Sequence, residues 1–242
     1  MKSDLYSKHA EKYDAAVQNN IYNAHLERPS LQAMLGELTD CNILDLGCGT
    51  GIYTEYLFKQ GASTVTCIDY SQDMINLVTN KLSSTFGSRI TAYAHDLTKG
   101  LPNEAANSFD VIICPLVLHY IEDLSFVFEE IHRVLKVGGY MVFSTHHPFA
   151  DFECSLSGNY FDRERITETW NTVGEPVEVT FYRRSLTEMM TAITSNGLAV
   201  TEMTEGKVDE KAKVIDEKTY EHLSKNPNFI FVKCQKFTET LD

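Results

Sequence analysis

The residues with the clearest chemical purpose stand in Asp45-Leu46-Gly47-Cys48-Gly49-Thr50-Gly51, where a carboxylate and three glycines close a short apolar run. Glycine tolerates positive φ and lets a ligand reach the backbone without meeting a β carbon, so this turn suits a ligand held by main-chain groups. The spacing is G-x-G-x-G. Position 52, where a dinucleotide fingerprint needs its third glycine, is Ile52, and no Lys followed by Ser or Thr marks a phosphate loop. Asp69 ends a second apolar run 18 residues beyond Gly51, where a carboxylate can accept hydrogen bonds from both hydroxyls of a ribose. Asp96 follows a third run and can accept from an adenine amino group. Together these groups suit one adenosine-bearing ligand.

A second set of residues could handle an acceptor. His119 follows a fourth apolar run, and the adjacent His146 and His147 follow a fifth; neutral imidazole accepts a proton near pH 7. Each can equally shape a pocket or hold a loop by hydrogen bonds. No acid motif accompanies the three histidines, so no metal is expected. Between residues 146 and 184, Tyr160, Phe161 and Trp170 can stack on a planar molecule, and Arg163 or Arg183 can pair with a carboxylate or phosphate. The alternative is that these aromatics form a small core of their own and the arginines face water.

The elements that must position these groups alternate between β-branched runs and helix-period segments, the pattern of a parallel sheet covered by crossover helices. Strands are expected at 42–46, 64–69, 90–95, 110–114 and 140–145, each nearly continuous in apolar residues as strands buried on both faces are. A helix is expected over 53–58. Ser71 can cap another carrying Met74, Ile75, Val78 and Leu82. Leu124, Val127, Phe128, Ile131, Val134 and Leu135 form an apolar stripe that Gly138-Gly139 should terminate. Ser185-Leu186-Thr187-Glu188 is a capping box opening a helix that ends before Gly197, and strands follow at 198–203 and 228–236. The charged stretch 205–218 reads as a solvated loop or helix.

Residues 1–40 read as helices with Tyr6, Tyr13, Val17 and Tyr22 as their larger nonpolar positions, and 146–184 hold a half-exposed strand in Val177, Val179 and Phe181. Both pieces look like covers for the carboxyl edge of the sheet, where open α/β sheets bind ligands. The expected organisation is one domain over 1–242: a helical cover (1–40), a ligand-binding core (41–145), an acceptor-site insertion (146–184), and a helix with a strand pair (185–242).

Composition narrows the partners. A net charge of −13 opposes binding to a polyanion, which needs a basic face to release counterions, so no nucleic acid is expected. No apolar run approaches the roughly 20 residues of a membrane span, and Met1 leads into a polar stretch. The six scattered cysteines read as small hydrophobes in a reducing compartment. A cytoplasmic chain, monomeric or homodimeric, is expected.

DLGCGTG, the strand-end acid in Cys67-Ile68-Asp69-Tyr70-Ser71, Ala94-His95-Asp96-Leu97, Phe109-Asp110-Val111-Ile112-Ile113-Cys114 and Leu135-Lys136-Val137-Gly138-Gly139-Tyr140 resemble the ordered motifs of Rossmann-like (class I) S-adenosylmethionine-dependent methyltransferases. The likeness covers about residues 40–150 and is nearest to the small-molecule branch that includes quinone-biosynthesis enzymes. It implies a three-layer α/β fold with a mostly parallel seven-stranded sheet whose last strand is antiparallel. It implies that Asp45, Gly47, Gly49 and Gly51 surround the methionine portion of S-adenosyl-L-methionine, that Asp69 holds the ribose, and that Tyr70 and Met74 pack near the adenine. Asp96 and Leu97 would contact the adenine edge, the Cys114 backbone the methionine amino group, and Tyr13 and Tyr22 would close over the cofactor. The implied reaction is methyl transfer to a small-molecule acceptor by in-line displacement. A non-catalytic module that binds the same cofactor would carry the same motifs; a nicotinamide-dependent oxidoreductase fits the glycine spacing poorly.

Overall fold

The computed structural model describes residues 4–237; the first three residues of the expected amino-terminal cover lie outside them. α1 (Ala10–Val17), a π-helical segment (Ile21–Glu27) and α2 (Arg28–Met34) precede the sheet, whose first half alternates β1 (Asn42–Leu46), α3 (Ile52–Lys59), β2 (Thr64–Asp69), α4 (Gln72–Phe86) and β3 (Ile90–Ala94). Next come β4 (Phe109–Pro115), α5 (Leu124–Val134), β5 (Leu135–His146), the one-turn α6 (Pro148–Asp151), and a hairpin of β6 (Glu164–Trp170) and β7 (Val177–Arg183). The chain closes with α7 (Leu186–Thr194), β8 (Leu198–Thr204), the short α8 (Ala212–Ile215) and α9 (Glu217–Leu223), and β9 (Phe229–Lys236).

The sheet has seven strands in the order β3-β2-β1-β4-β5-β9-β8. β3, β2, β1, β4 and β5 pair in parallel, while β9 runs antiparallel between β5 and β8. The expected fold is therefore present, with the last strand of the chain lying one place in from the sheet edge. Strand order reverses between β1 and β4, which opens a crevice at their carboxyl ends.

Residues alternate between the faces with the period of a strand. Ile43, Val65, Val111 and Ile113 pack in one core cluster, and Leu44, Leu46, Ile112 and Cys114 in the other. Helix periodicity fixes the layers above them. In α5, Leu124, Val127, Phe128, Ile131 and Val134 are buried as their spacing requires, each large side chain contributing roughly 2 kcal/mol. In α4, Met74, Ile75, Val78 and Leu82 do the same, and Ser71 caps it by accepting from the Met74 N–H.

Three expectations about elements change. Gly138-Gly139 does not end a helix: α5 stops at Val134, and the glycines lie inside β5, where pairing with β4 slips from Phe109↔Leu135 to Val111↔Tyr140. A β carbon on Gly139 would sit 2.9 Å from the Asp110 carbonyl oxygen, so glycine is required by that close approach. The 205–218 stretch is not merely solvated, because Val208 and Ala212 are buried in the core beside α8. Finally, Val177, Val179 and Phe181 do alternate along a strand, but that strand is paired with the unforeseen β6, Ile166 facing Phe181 and Trp170 facing Val177.

The two covers meet each other. Leu5 is fully buried against Val177 and Val179 of β7, and Lys12 pairs with Glu175 at 2.5 Å. The amino terminus and the hairpin thus form a roof over the switch-point crevice.

Candidate active site

The glycine turn is shaped by its strand neighbours. Gly47 and Cys48 N–H groups both donate to the Ile68 carbonyl, at 2.7 and 3.1 Å, which ties the turn to β2. Gly47 has φ +70°, and a β carbon there would lie 2.1 Å from Val117 Cγ2. Gly49 also has positive φ, +54°, but a β carbon there would meet nothing within 4 Å. The first glycine is needed for packing, and the second leaves the space over the turn open. Gly51 caps α3 with φ +84° and packs under Val78 and Leu82 of α4, away from the crevice.

A cavity of about 510 Å³ opens above this turn. Gly47, Gly49, Asp69, Tyr70, Asp96 and Leu97 line it, all of them expected cofactor residues. They come from the loops after β1, β2 and β3, which parallel pairing brings to one edge. Asp69 accepts from the Gly49 N–H at 2.9 Å and from the Ser71 N–H at 2.8 Å; burial pushes its pKa up, and these backbone donors partly counter that. Asp96 caps the turn Leu97–Lys99 by accepting from the Thr98 N–H at 3.0 Å.

Asp45 is fully buried near the carboxyl end of β1 and, with Gly47 and Gly49, lines a second cavity of about 90 Å³. Its Oδ2 accepts from the Thr54 hydroxyl at 2.7 Å, whereas Oδ1 has no partner, and burial pushes the carboxyl up to about 7. An orphaned carboxylate oxygen in a polar hole marks a place for a donor. With the open space over Gly49, it makes these residues a fit for S-adenosylmethionine.

The other expected cofactor contacts shift by a residue or an element. Met74 is buried under α4, and Cys114 is sealed within β4; neither lines the cavity, and Pro115, Leu116 and Val117 present themselves instead. Leu116 takes φ +54°, a strained value for a residue with a β carbon, and its N–H is held by the Ser144 carbonyl at 3.0 Å. Tyr22 is 40% exposed and lies off both cavities. Tyr13 does line them, together with Tyr6 and Tyr120 in the larger one. The Tyr6 ring meets Tyr13 and Tyr120 edge-on, at centroid distances of 5.0 and 5.8 Å, and the Tyr6 and Tyr120 hydroxyls are 2.6 Å apart.

The expected proton acceptors face elsewhere. The turn Leu118–Tyr120 presents Tyr120 to the large cavity and rotates His119 inward, where it is buried, stacks on His146 at 3.8 Å and lies 3.2 Å from the Thr145 hydroxyl. Burial pushes the His119 pKa well below the usual imidazole range, helped by His146 and Arg184. His146 Nδ1 stands 3.2 Å from Asp151. These two rings border a cavity of about 10 Å³, separate from the crevice. His147 caps α6, accepting from the Phe149 N–H at 3.1 Å.

The expected acceptor residues line none of the three cavities and are engaged within the protein. Arg183 is fully buried in β7: it pairs with Glu164 and donates to the carbonyls of Asn159, Tyr160 and Asp162. Arg163 pairs with Glu188 at 2.7 Å on the surface. The Tyr160 hydroxyl accepts from the Leu186 N–H, and Trp170 donates to Glu168 beside His146 and Phe181. The insertion reaches the large cavity through Glu178 and Thr180 instead. The alternation at Val177, Val179 and Phe181 already put these two on the opposite face of the strand.

Known proteins agree with this arrangement. Residues 44–143 match the methyltransferase domain family. The chain is 25% identical over 231 residues to an uncharacterized protein of Haemophilus influenzae, covering 88% of each. It is 26% identical to a human thiol S-methyltransferase (62% of this chain, 59% of that protein) and 30% identical to the ubiquinone biosynthesis O-methyltransferase of Nitrosomonas europaea (48% of each). With those two the shared part is therefore well short of the full length. An S-adenosylmethionine-dependent methyltransferase structure from Mesorhizobium loti superposes with TM-score 0.70 at 25% identity, covering 93% of this chain and 100% of that one. Another, described as a methyltransferase of the same kind from Listeria monocytogenes, gives TM-score 0.74 at 23% identity over 87% of this chain and 96% of that one. Motifs, fold and relatives together show a methyltransferase domain over residues 44–143, within the fold shared with S-adenosylmethionine-dependent methyltransferases.

Proposed function

We propose that the chain, folded as one domain, transfers a methyl group to a small-molecule acceptor bound between the glycine turn and the β6/β7 hairpin. The observation that carries this reading is that one cavity of about 510 Å³ is walled by Gly47, Gly49, Asp69 and Asp96 on one side and by Glu178 and Thr180 on the other. S-adenosylmethionine supplies a methyl group already activated on a sulfonium, so the protein's share of the work is to orient the acceptor and exclude water. Asp69 and Asp96 hold the adenosine in this reading, and Tyr6, Tyr13 and Tyr120 roof it.

The relatives named above act on sulfur and on oxygen. For this chain the cavity favours an acceptor without negative charge. Its charged lining residues are Asp69, Asp73, Asp96 and Glu178, while Arg163 and Arg183, the expected anion partners, are engaged elsewhere. An uncharged acceptor must give up a proton as it is methylated, and in this reading the carboxylates lining the cavity, not the histidines, stand where that proton leaves. The test is transfer of tritiated methyl from S-adenosylmethionine into fractionated neutral, cationic and anionic metabolite pools, with wild type and Glu178→Ala. Label entering neutral or cationic species, and reduced by the substitution, supports the proposal; label entering only macromolecules or anions, or unchanged in Glu178→Ala, overturns it.

A further inference from the structure

Four buried side-chain nitrogen and oxygen atoms among the described residues have no hydrogen-bond partner. Buried polar atoms are nearly always paired, so such atoms point to a ligand. One is Asp45 Oδ1, in the cavity shared with Gly47 and Gly49. The other three are Arg184 Nε, Arg184 Nη1 and His146 Nδ1, and both of these residues line the separate cavity of about 10 Å³. That volume is room for about one water-sized particle, too little for a carboxylate or phosphate group.

Arg184 directly follows β7 and is 4% exposed. Its Nη2 donates to the Ile121 carbonyl and, at 3.5 Å, to that of Glu122. Neutral carbonyls orient the guanidinium without balancing its charge. Each acid that acts on it is engaged elsewhere: Glu188 with Arg163 at 2.7 Å, Asp123 with the Ser125 N–H at 2.9 Å, and Asp151 with His146 Nδ1 at 3.2 Å. Burial lowers the guanidinium pKa to about 10, with Arg163 adding to the fall and the three acids opposing it, so the group stays cationic near neutral pH. A buried cation without a contacting anion is costly, and the cavity beside its free N–H groups is where a counter-charge fits.

We infer that this cavity binds a single halide ion, chloride being the ordinary one, at one of the two free positions of the Arg184 guanidinium. Size selects a halide over an oxyanion, and charge selects it over water. Leu118, Leu124 and Met189 close part of the wall with apolar surface, a setting in which water screens the attraction little. The site is separate from the crevice, so its occupancy does not depend on the cofactor or the acceptor. An ion there braces the crevice wall, because the Ile121 carbonyl held by Arg184 belongs to a residue lining the large cavity.

The experiment is thermal unfolding of the full chain at a constant ionic strength of about 0.15 M, with potassium gluconate replaced stepwise by potassium chloride or bromide. Gluconate is too large for the cavity. For wild type the unfolding temperature should rise by at least about 2 °C along a saturating curve in both halides. Arg184→Met should abolish the rise. Asp151→Asn, which takes a negative charge off the lining, should reach half-saturation at a halide concentration at least about threefold lower. A wild-type crystal soaked in bromide should show an anomalous peak against Arg184 Nε or Nη1, and this decides the matter if Arg184→Met fails to fold. Equal unfolding temperatures in halide and gluconate, an undiminished rise in Arg184→Met or an unmoved midpoint in Asp151→Asn would overturn the halide site. So would density without anomalous signal at that position, which marks a water.

Discussion

The Gly49 N–H donates to Asp69 Oδ2 at 2.9 Å, so the carboxylate at the end of β2 also fixes the turn at the end of β1. A ligand that uses Asp69 for its ribose therefore meets a turn already in place. Asp69→Ala should weaken S-adenosylmethionine and S-adenosylhomocysteine alike by at least about tenfold, or 1.4 kcal/mol, in calorimetry. Wild-type affinity in this variant would remove Asp69 from the site.

The two glycines of the turn should separate stability from binding. Gly47→Ala meets Val117 at 2.1 Å in a left-handed backbone and should lose at least about 2 kcal/mol in urea denaturation. Gly49→Ala carries only the backbone penalty, about 1 kcal/mol, because its β carbon meets no protein atom within 4 Å. That carbon projects into the ligand cavities, so cofactor affinity should fall at least about tenfold. The reading fails if Gly49→Ala binds as wild type does.

The hairpin should be acid-sensitive through Glu164. Burial alone would raise this carboxyl, but Ser155, the Ser157 N–H and Arg183 hold it down at about 2. A depressed folded-state pKa stabilises above the unfolded value near 4.3, and that contribution fades as pH falls from there toward about 2. Thermal unfolding followed from pH 5 to about pH 2.5 should show the loss in wild type, and Arg183→Met should be less stable at pH 5 and flatter below it. An unchanged acid limb in Arg183→Met would show that the pair does not set it.

His119 should act as a neutral buried side chain. Its folded-state pKa is lowered mainly by burial, so it stabilises above the unfolded value near 6.5 and that contribution declines as the unfolded chain takes up a proton at lower pH. His119→Gln should flatten the fall in unfolding temperature between pH 6.5 and about 5. An identical slope in wild type and variant would mean that another group carries it.

The same residues show where sequence pattern is informative. Asp69 and Asp96 were legible because each follows an apolar run, and parallel strands deliver all their carboxyl ends to one edge. Tyr13 was legible as a cover residue but Tyr22 was not, because helical spacing says which positions share a face and not which face meets the ligand. Arg183 misled because a charged residue at the end of a half-exposed strand reads as solvated. Its acceptors are three backbone carbonyls whose convergence has no side-chain signature.

By itself the sequence determined the layered α/β fold, the glycine turn and the acids beside it. These follow from local patterns: the period of burial, the φ that a turn demands, and the position of a residue at a strand end. Tertiary structure alone decided that His119 turns inward, that Tyr6 and Tyr120 meet over the crevice, and that Glu178 and Thr180 face it. It also set Glu27 beside Ser144, 117 positions away. Such pairings depend on how separate elements cross and close on one another, and no local periodicity encodes that.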